Sequence, residues 1–340
     1  MHRMFSPVQR RWTIAAAGFA LLAIGSGTPA VADTYTTTHT IAYVTNTTSN
    51  AVQVVDIDVR SILTAIPVGT TPVDIEHSPD ETTMYVSNRG SNSVSVIDAT
   101  QNLNVGTIPV GTNPEGIALS PDGSRLYVAN TCDNTVSVIN TGSRSVIATV
   151  PVGNFPGHIA VAPGGSPVYV TNRADGTLSL IDASSLTQTA TWAVGRFPWW
   201  VSLSADGSTA YVSNIASNKV SFVNTTSGTV WTTARVGTAP WSAVADPTYY
   251  RVYVANTEDG SLTFLNGDGS IDHTTSIATG AKPYELEVTP AGNSLLVPDF
   301  TNGTLWFYRI RSTSLRQTGS MSLGGTPASV TSIHEVVVTN

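Results

Sequence analysis

Apolar and polar residues alternate along most of this chain, in short runs broken by Gly, Pro, Asn and Asp. The segment 116–153 is representative. "GIALS" is followed by Pro121-Asp122-Gly123, "RLYVAN" by "TCDN", and "TVSVIN" by "TGSR", and the last run is "VIATVPVG". Period-two alternation bounded by such residues predicts β-strands, four to a unit. Proline followed by Asp-Gly predicts a hairpin turn with the glycine at positive φ. Asn at the end of "RLYVAN" suits a strand exit, where its side chain bonds the local backbone and left-handed geometry is tolerated. Pro67, Pro109 and Pro151 fall in the fourth run. A missing N–H is tolerated only at a sheet edge, so the fourth strand is predicted to be outermost.

The unit repeats. Tyr43-Val44-Thr45-Asn46 recurs with its first residue at Tyr85, Tyr127, Tyr169, Tyr211 and Tyr253, each time after 42 residues. A degenerate copy is Leu296-Val297-Pro298-Asp299, and the chain closes on Val337-Val338-Thr339-Asn340. Seven periods of four antiparallel strands, with no helical periodicity, predict an all-β fold, a seven-bladed β-propeller. The N-terminus enters at the second strand of a blade. A C-terminal strand from about Ala328 to Ile333 would supply the missing first strand, so the ring is predicted to close by pairing its two ends. Two copies, the first tetrad and the terminal "VVVTN", then compete for one slot.

The Tyr-Val-Thr-Asn tetrad, the "SPDG" turn and the "VGxxP" segment together resemble the YVTN family of seven-bladed propellers, exported and surface proteins of bacteria and archaea. The resemblance runs from roughly Ile41 to Asn340. It implies the fold and carries no catalytic residue.

Composition adds a compartment. Arg3, Arg10 and Arg11 precede the apolar run "TIAAAGFALLAIG" and the small-x-small site Ala30-Val31-Ala32. This is the form of a signal peptide. Residues 1–32 are read as that signal, 33–340 as one propeller domain, and the mature chain as secreted, with no membrane span. Cleavage removes three Arg and no acidic residue, taking the net charge from −7 to −10. Such acidity argues against nucleic acid as a partner. Cys132 is the one cysteine, so no intrachain disulfide forms, and a monomer is expected.

The repeat breaks down at the two residues after each "VGxxP" proline. They read Val73-Asp74, Glu115-Gly116, Gly157-His158, Trp199-Trp200, Trp241-Ser242, Tyr284-Glu285 and Ala328-Ser329. In a propeller these positions and the turn after each tetrad share one funnel mouth, where loops on a rigid scaffold carry ligand contacts. Asp74, Glu115 and His158 would form a titratable side. Trp199, Trp200, Trp241 and Tyr284 would form an aromatic one, with Glu285 closing the arc. Strict alternation sends one of the two adjacent tryptophans between blades. Arg89 and Arg173, after their tetrads, are candidates for an anionic group. Asp74, Glu115 and His158 could hold a divalent cation, although no ligand motif is present and no other cofactor is indicated. His39, His77, His273 and His334 share no column.

Two functions follow. The first is a non-catalytic binding protein that takes a small molecule, glycan or peptide at the mouth of the central channel. The alternative is a propeller enzyme of the lactone hydrolase or lyase type, using Asp, Glu or His at the same face, with or without a metal.

Overall fold

A computed structural model describes residues 11–12, 36–278, 280–311 and 314–339. The signal-peptide reading lies almost wholly outside them. Seven four-stranded antiparallel blades form a ring, and the described residues hold no helix beyond two single 3-10 turns, Arg89–Ser91 and Ile215–Ser217. Blade 3 shows the plan: Pro114–Leu119 innermost, then Arg125–Asn130, Thr135–Asn140 and Ser145–Pro151 at the rim. Pro67, Pro109 and Pro151 each end an outermost strand, as their missing N–H requires.

The alternation along the chain follows from this plan. The second and third strands of a blade are covered on both faces, so "RLYVAN" is buried from Leu126 to Asn130. The fourth strands are mostly exposed. Apolar side chains of adjacent blades meet in seven clusters among the described residues, one at each interface of the ring. One cluster, for example, joins Val94 and Val96 of blade 2 to Ile117, Leu126 and Val128 of blade 3.

The ring closes as expected. Pro327–Thr339 pairs with Thr36–Asn46, setting Val330 opposite Val44 and Thr331 opposite Tyr43. The competition for the slot is resolved too. Tyr43–Asn46 occupies the tetrad position, while Val336–Thr339 prolongs the same C-terminal strand and pairs with Thr36–His39. Arg11–Trp12 pairs in parallel with Val337–Val338.

The tetrad asparagine has a different role from the expected one. Asn88 and Asn214 are extended, with φ of −112° and −116°, and the left-handed residues are Asn92 and Asn218, four places on. The tetrad amides instead reach into their own blades: Asn130 Nδ2 donates to Ser137 Oγ at 2.8 Å and Asn172 Nδ2 to Ser179 Oγ at 2.8 Å. The glycine of "VGxxP" lies against this amide. A Cβ on Gly111 would fall 2.5 Å from Asn130 Cγ, and one on Gly153 2.5 Å from Asn172 Cγ. Close approach, rather than φ, is why these positions are glycine.

Candidate functional site

In six of the seven blades the inner strand starts at its proline and slips register against the second strand, as between Pro72 and Asp74 or Pro198 and Trp200; in blade 7 it is only Glu287–Val288, with Pro283 bridged to Asp299. The third tetrad residue secures the slip. Ser87 Oγ accepts from Asp74 N, Thr171 Oγ1 from His158 N and Ser213 Oγ from Trp200 N. The same hydroxyls reach the next blade, Thr171 donating to Trp199 O and Ser213 to Trp241 O. A bulge re-aims side chains, so in blades 2 to 5 both residues after the proline reach the mouth. Trp199 and Trp200 therefore line one cavity together, against the expectation that alternation would remove one of them.

That cavity, about 130 Å³, is lined by nine of the ten residues singled out in the sequence; Arg173 lies outside the lining. The aromatic side is a continuous column of rings. Trp199 and Trp241 have centroids 4.0 Å apart, Trp241 and Tyr284 4.2 Å, and Tyr284 and Phe300 4.5 Å. Phe300 follows the degenerate tetrad and was not singled out. The ring faces are turned largely toward one another, which leaves ring edges for a ligand.

Arg173 anchors this column and does not await an anion. It is only 2% exposed, and its guanidinium carbon sits 4.1 Å from the Trp199 ring and 5.1 Å from Phe155. Its nitrogens donate to Phe155 O, Pro156 O and Thr131 Oγ1, and Nη2 pairs with Glu115 Oε2 at 3.2 Å. Gly157 makes room, since a Cβ there would lie 3.2 Å from Arg173 Nε. Arg89 Nη1 holds the other Glu115 oxygen at 3.3 Å. Glu115 is thus tied between two arginines, away from any role beside His158.

His158 is held neutral. Burial pushes its pKa down to about 3, only partly offset by the bond to the Val201 carbonyl. A carbonyl can only accept, so Nδ1 carries the hydrogen, and it donates to Val201 O at 3.1 Å. The imidazole stacks on Trp200 with centroids 3.4 Å apart.

The acidic side is a pair. Asp74 is buried and accepts from Ile75 N, Ile117 N and Ser329 Oγ, and it faces the Glu285 carboxyl group. Burial raises Asp74 to about 6 against those donors, and burial beside the Asp74 charge raises Glu285 well above the ordinary carboxyl range. Two carboxyl groups buried this close resist being ionised together. Two residues further along the same strands, Glu76 and Glu287 are each raised to about 8, chiefly by burial. They are half-buried side chains of the central channel. In the sequence they stand just beyond the variable pair that follows each proline, two residues after Asp74 and Glu285, and that period-two spacing is the signal that marks them.

Asp74, Glu115 and His158 do not assemble as metal ligands. Among the described residues, the group of His, Asp, Glu or Cys able to converge on an ion is His39, Asp56 and Asp58, at the closing blade. No helix among the described residues is long and apolar enough to cross a membrane.

Residues 31–146, roughly a third of the chain, match the family model described as Lactonase, 7-bladed beta-propeller. That segment carries Asp74, Arg89 and Glu115. Among solved structures, the chain is similar to Kuenenia stuttgartiensis hydrazine synthase, at 20% identity and a TM-score of 0.70 over 77% of this chain and 95% of that one. It is also similar to a protein of Bacteroides fragilis NCTC 9343 named as a candidate 6-phosphogluconolactonase, at 14% identity and a TM-score of 0.75 over 90% and 100%. A protein of Bacteroides uniformis ATCC 8492 named the same way gives 15% and 0.72 over 87% and 99%. No curated protein matches the sequence. At these identities the likeness establishes the fold, a seven-bladed β-propeller, which is what the chain is.

Proposed function

We propose that the mouth of this ring hydrolyses a small cyclic ester, a lactone. The observation that carries the proposal is the buried carboxyl pair Asp74–Glu285, set in a cavity whose other side is aromatic. Two such carboxyl groups can act as base and acid in turn. The pair takes a proton from water as its oxygen adds to the ester carbonyl. It returns a proton to the ring oxygen as the carbon–oxygen bond breaks, which yields a hydroxy acid. The lactonase family match over 31–146 supports this reading, and so do the two Bacteroides neighbours as analogy.

The binding-only reading draws on a different fact. Glu115 and His158 are both engaged in internal contacts, so neither is available as a base. The two readings separate on turnover. Incubated with D-glucono-1,5-lactone, the mature protein is expected to release acid above the buffer rate, and Asp74→Asn to lose that activity by at least about 100-fold, the range of acid–base catalysis. Binding without turnover would support the passive reading.

Export and YVTN-type kinship, drawn from the N-terminal pattern and the tetrads, are part of the same proposal. N-terminal sequencing of protein recovered outside the cytoplasm should begin at Asp33.

A further inference from the structure

The second residue after each proline gives a ring of seven channel-facing positions, and six have settled partners or need none. Asp74 takes three donors and Ser329 donates to it. Ser242 Oγ donates to Tyr284 O at 2.8 Å, His158 Nδ1 to Val201 O, and Glu285 faces Asp74. Gly116 has no side chain, and a Cβ there would lie 2.6 Å from His158 Cα. The exception is Trp200. Its indole nitrogen is buried and has no hydrogen-bond partner among the described residues, while the residue lines the cavity and is 8% exposed.

A buried donor without an acceptor is costly, and native proteins rarely tolerate one without a use. This one is also held in place. The ring is stacked on His158, which is itself fixed through Val201, and the backbone N–H of Trp200 is bonded to Ser213 Oγ. The nitrogen itself is closed to solvent, so a ligand oxygen reaches it once the side chains packed over it give way.

Resting on the lactone reading above, we infer that the Trp200 indole N–H is the donor to the ligand's carbonyl oxygen. It completes its own hydrogen bond there and stabilises the negative charge that gathers on that oxygen when water adds. The ligand class is accordingly a cyclic ester whose exocyclic carbonyl faces blade 5 and whose ring oxygen faces the Asp74–Glu285 pair. A carbonyl is the part of the ligand that the site reads.

The test compares two ligands that differ in that carbonyl. D-Gluconolactam carries a strong acceptor in place of the ester and resists hydrolysis, whereas 1,5-anhydro-D-glucitol has the same ring without a carbonyl. Calorimetry on wild type and Trp200→Phe should show at least tenfold weaker lactam binding by the variant, with anhydroglucitol binding unchanged. The variant keeps an aromatic ring against His158, and its melting curve should stay cooperative. In a second measurement on the wild type, the Trp200 indole ¹H–¹⁵N resonance should move with lactam and stay put with anhydroglucitol. Equal lactam affinity in the variant, or an unmoved resonance, overturns the Trp200 assignment and leaves the lactone reading standing. Failure of the wild type to bind lactam and to hydrolyse the lactone overturns both.

Discussion

Gly157 and Arg173 illustrate how single residues set the site. The Arg173 guanidinium sits against Trp199 beside a residue without a Cβ; a Cβ on residue 157 would stand 3.2 Å from Arg173 Nε, 2.9 Å from Thr171 Oγ1 and 3.2 Å from Trp199 O. Gly157→Ala is expected to destabilise the protein by about 1–3 kcal/mol, as overpacking does. It should also quench or shift Trp199 fluorescence by displacing the cation from the ring. A variant with wild-type melting and emission would show that Arg173 does not depend on this gap. The sequence made the mouth residues legible because a faithful repeat exposes its own exceptions. It could not show that Arg173 faces inward, since one residue after a tetrad looks like any turn. Nor could it show that Glu115 is neutralised by arginines from two other blades, a pairing that exists only once the ring is closed.

At the scale of strands, the hydroxyl in the third tetrad position is the joint between blade and mouth. Thr171 accepts from His158 N and donates to Trp199 O. Thr171→Val keeps the shape, removes the hydroxyl and leaves two buried backbone groups unpaired, at a cost of about 2 kcal/mol. Urea unfolding of the variant measures it; a loss under about 0.5 kcal/mol would mean the bulge holds without the hydroxyl. The inner strands also carry a pH signature. Glu76 and Glu287, raised to about 8, keep their protons in the fold and lose them in the unfolded chain near the ordinary value of about 4.3. Their contribution is complete below that value and disappears as pH rises through about 8. His158 acts in the opposite sense, its stabilisation falling away as pH drops from about 6.5 toward 3. Above pH 6.5 only the carboxyl groups remain active. The melting temperature should therefore fall between pH 6.5 and 8.5, and Glu76→Gln should flatten that slope. A melting temperature flat across this window in the wild type would contradict the raised values. Strand order, outer-edge prolines and hairpin turns were all readable from alternation and turn residues. The tetrad asparagine was not, because its partners, a hydroxyl on the next strand and a glycine of the preceding loop, are adjacent only in space.

For the whole molecule, the ring makes the site. Asp74 lies on blade 2 and Glu285 on blade 7, and Ser329 of the C-terminal strand stands between them. The carboxyl pair thus exists only when the two ends of the chain have paired. Truncation before Pro327 should leave blades 2–6 able to pack locally, yet broaden thermal unfolding and abolish the raised carboxyl values. A sharp wild-type transition after truncation would show that closure is dispensable. Closure was foreseeable from counting strands. The acid pair was foreseeable only as two letters in separate columns, since nothing local in the sequence says that blade 7 and blade 2 face the same serine.

The chemistry proposed at the mouth belongs to the buried pair Asp74–Glu285. The most direct measurement is kcat/KM for D-glucono-1,5-lactone from pH 5 to 7.5, in wild type and in Glu285→Gln. The rate should rise through about pH 6 as Asp74 ionises and collapse in the variant. A wild-type rate no greater than buffer, or a profile that Glu285→Gln leaves unchanged, would contradict it.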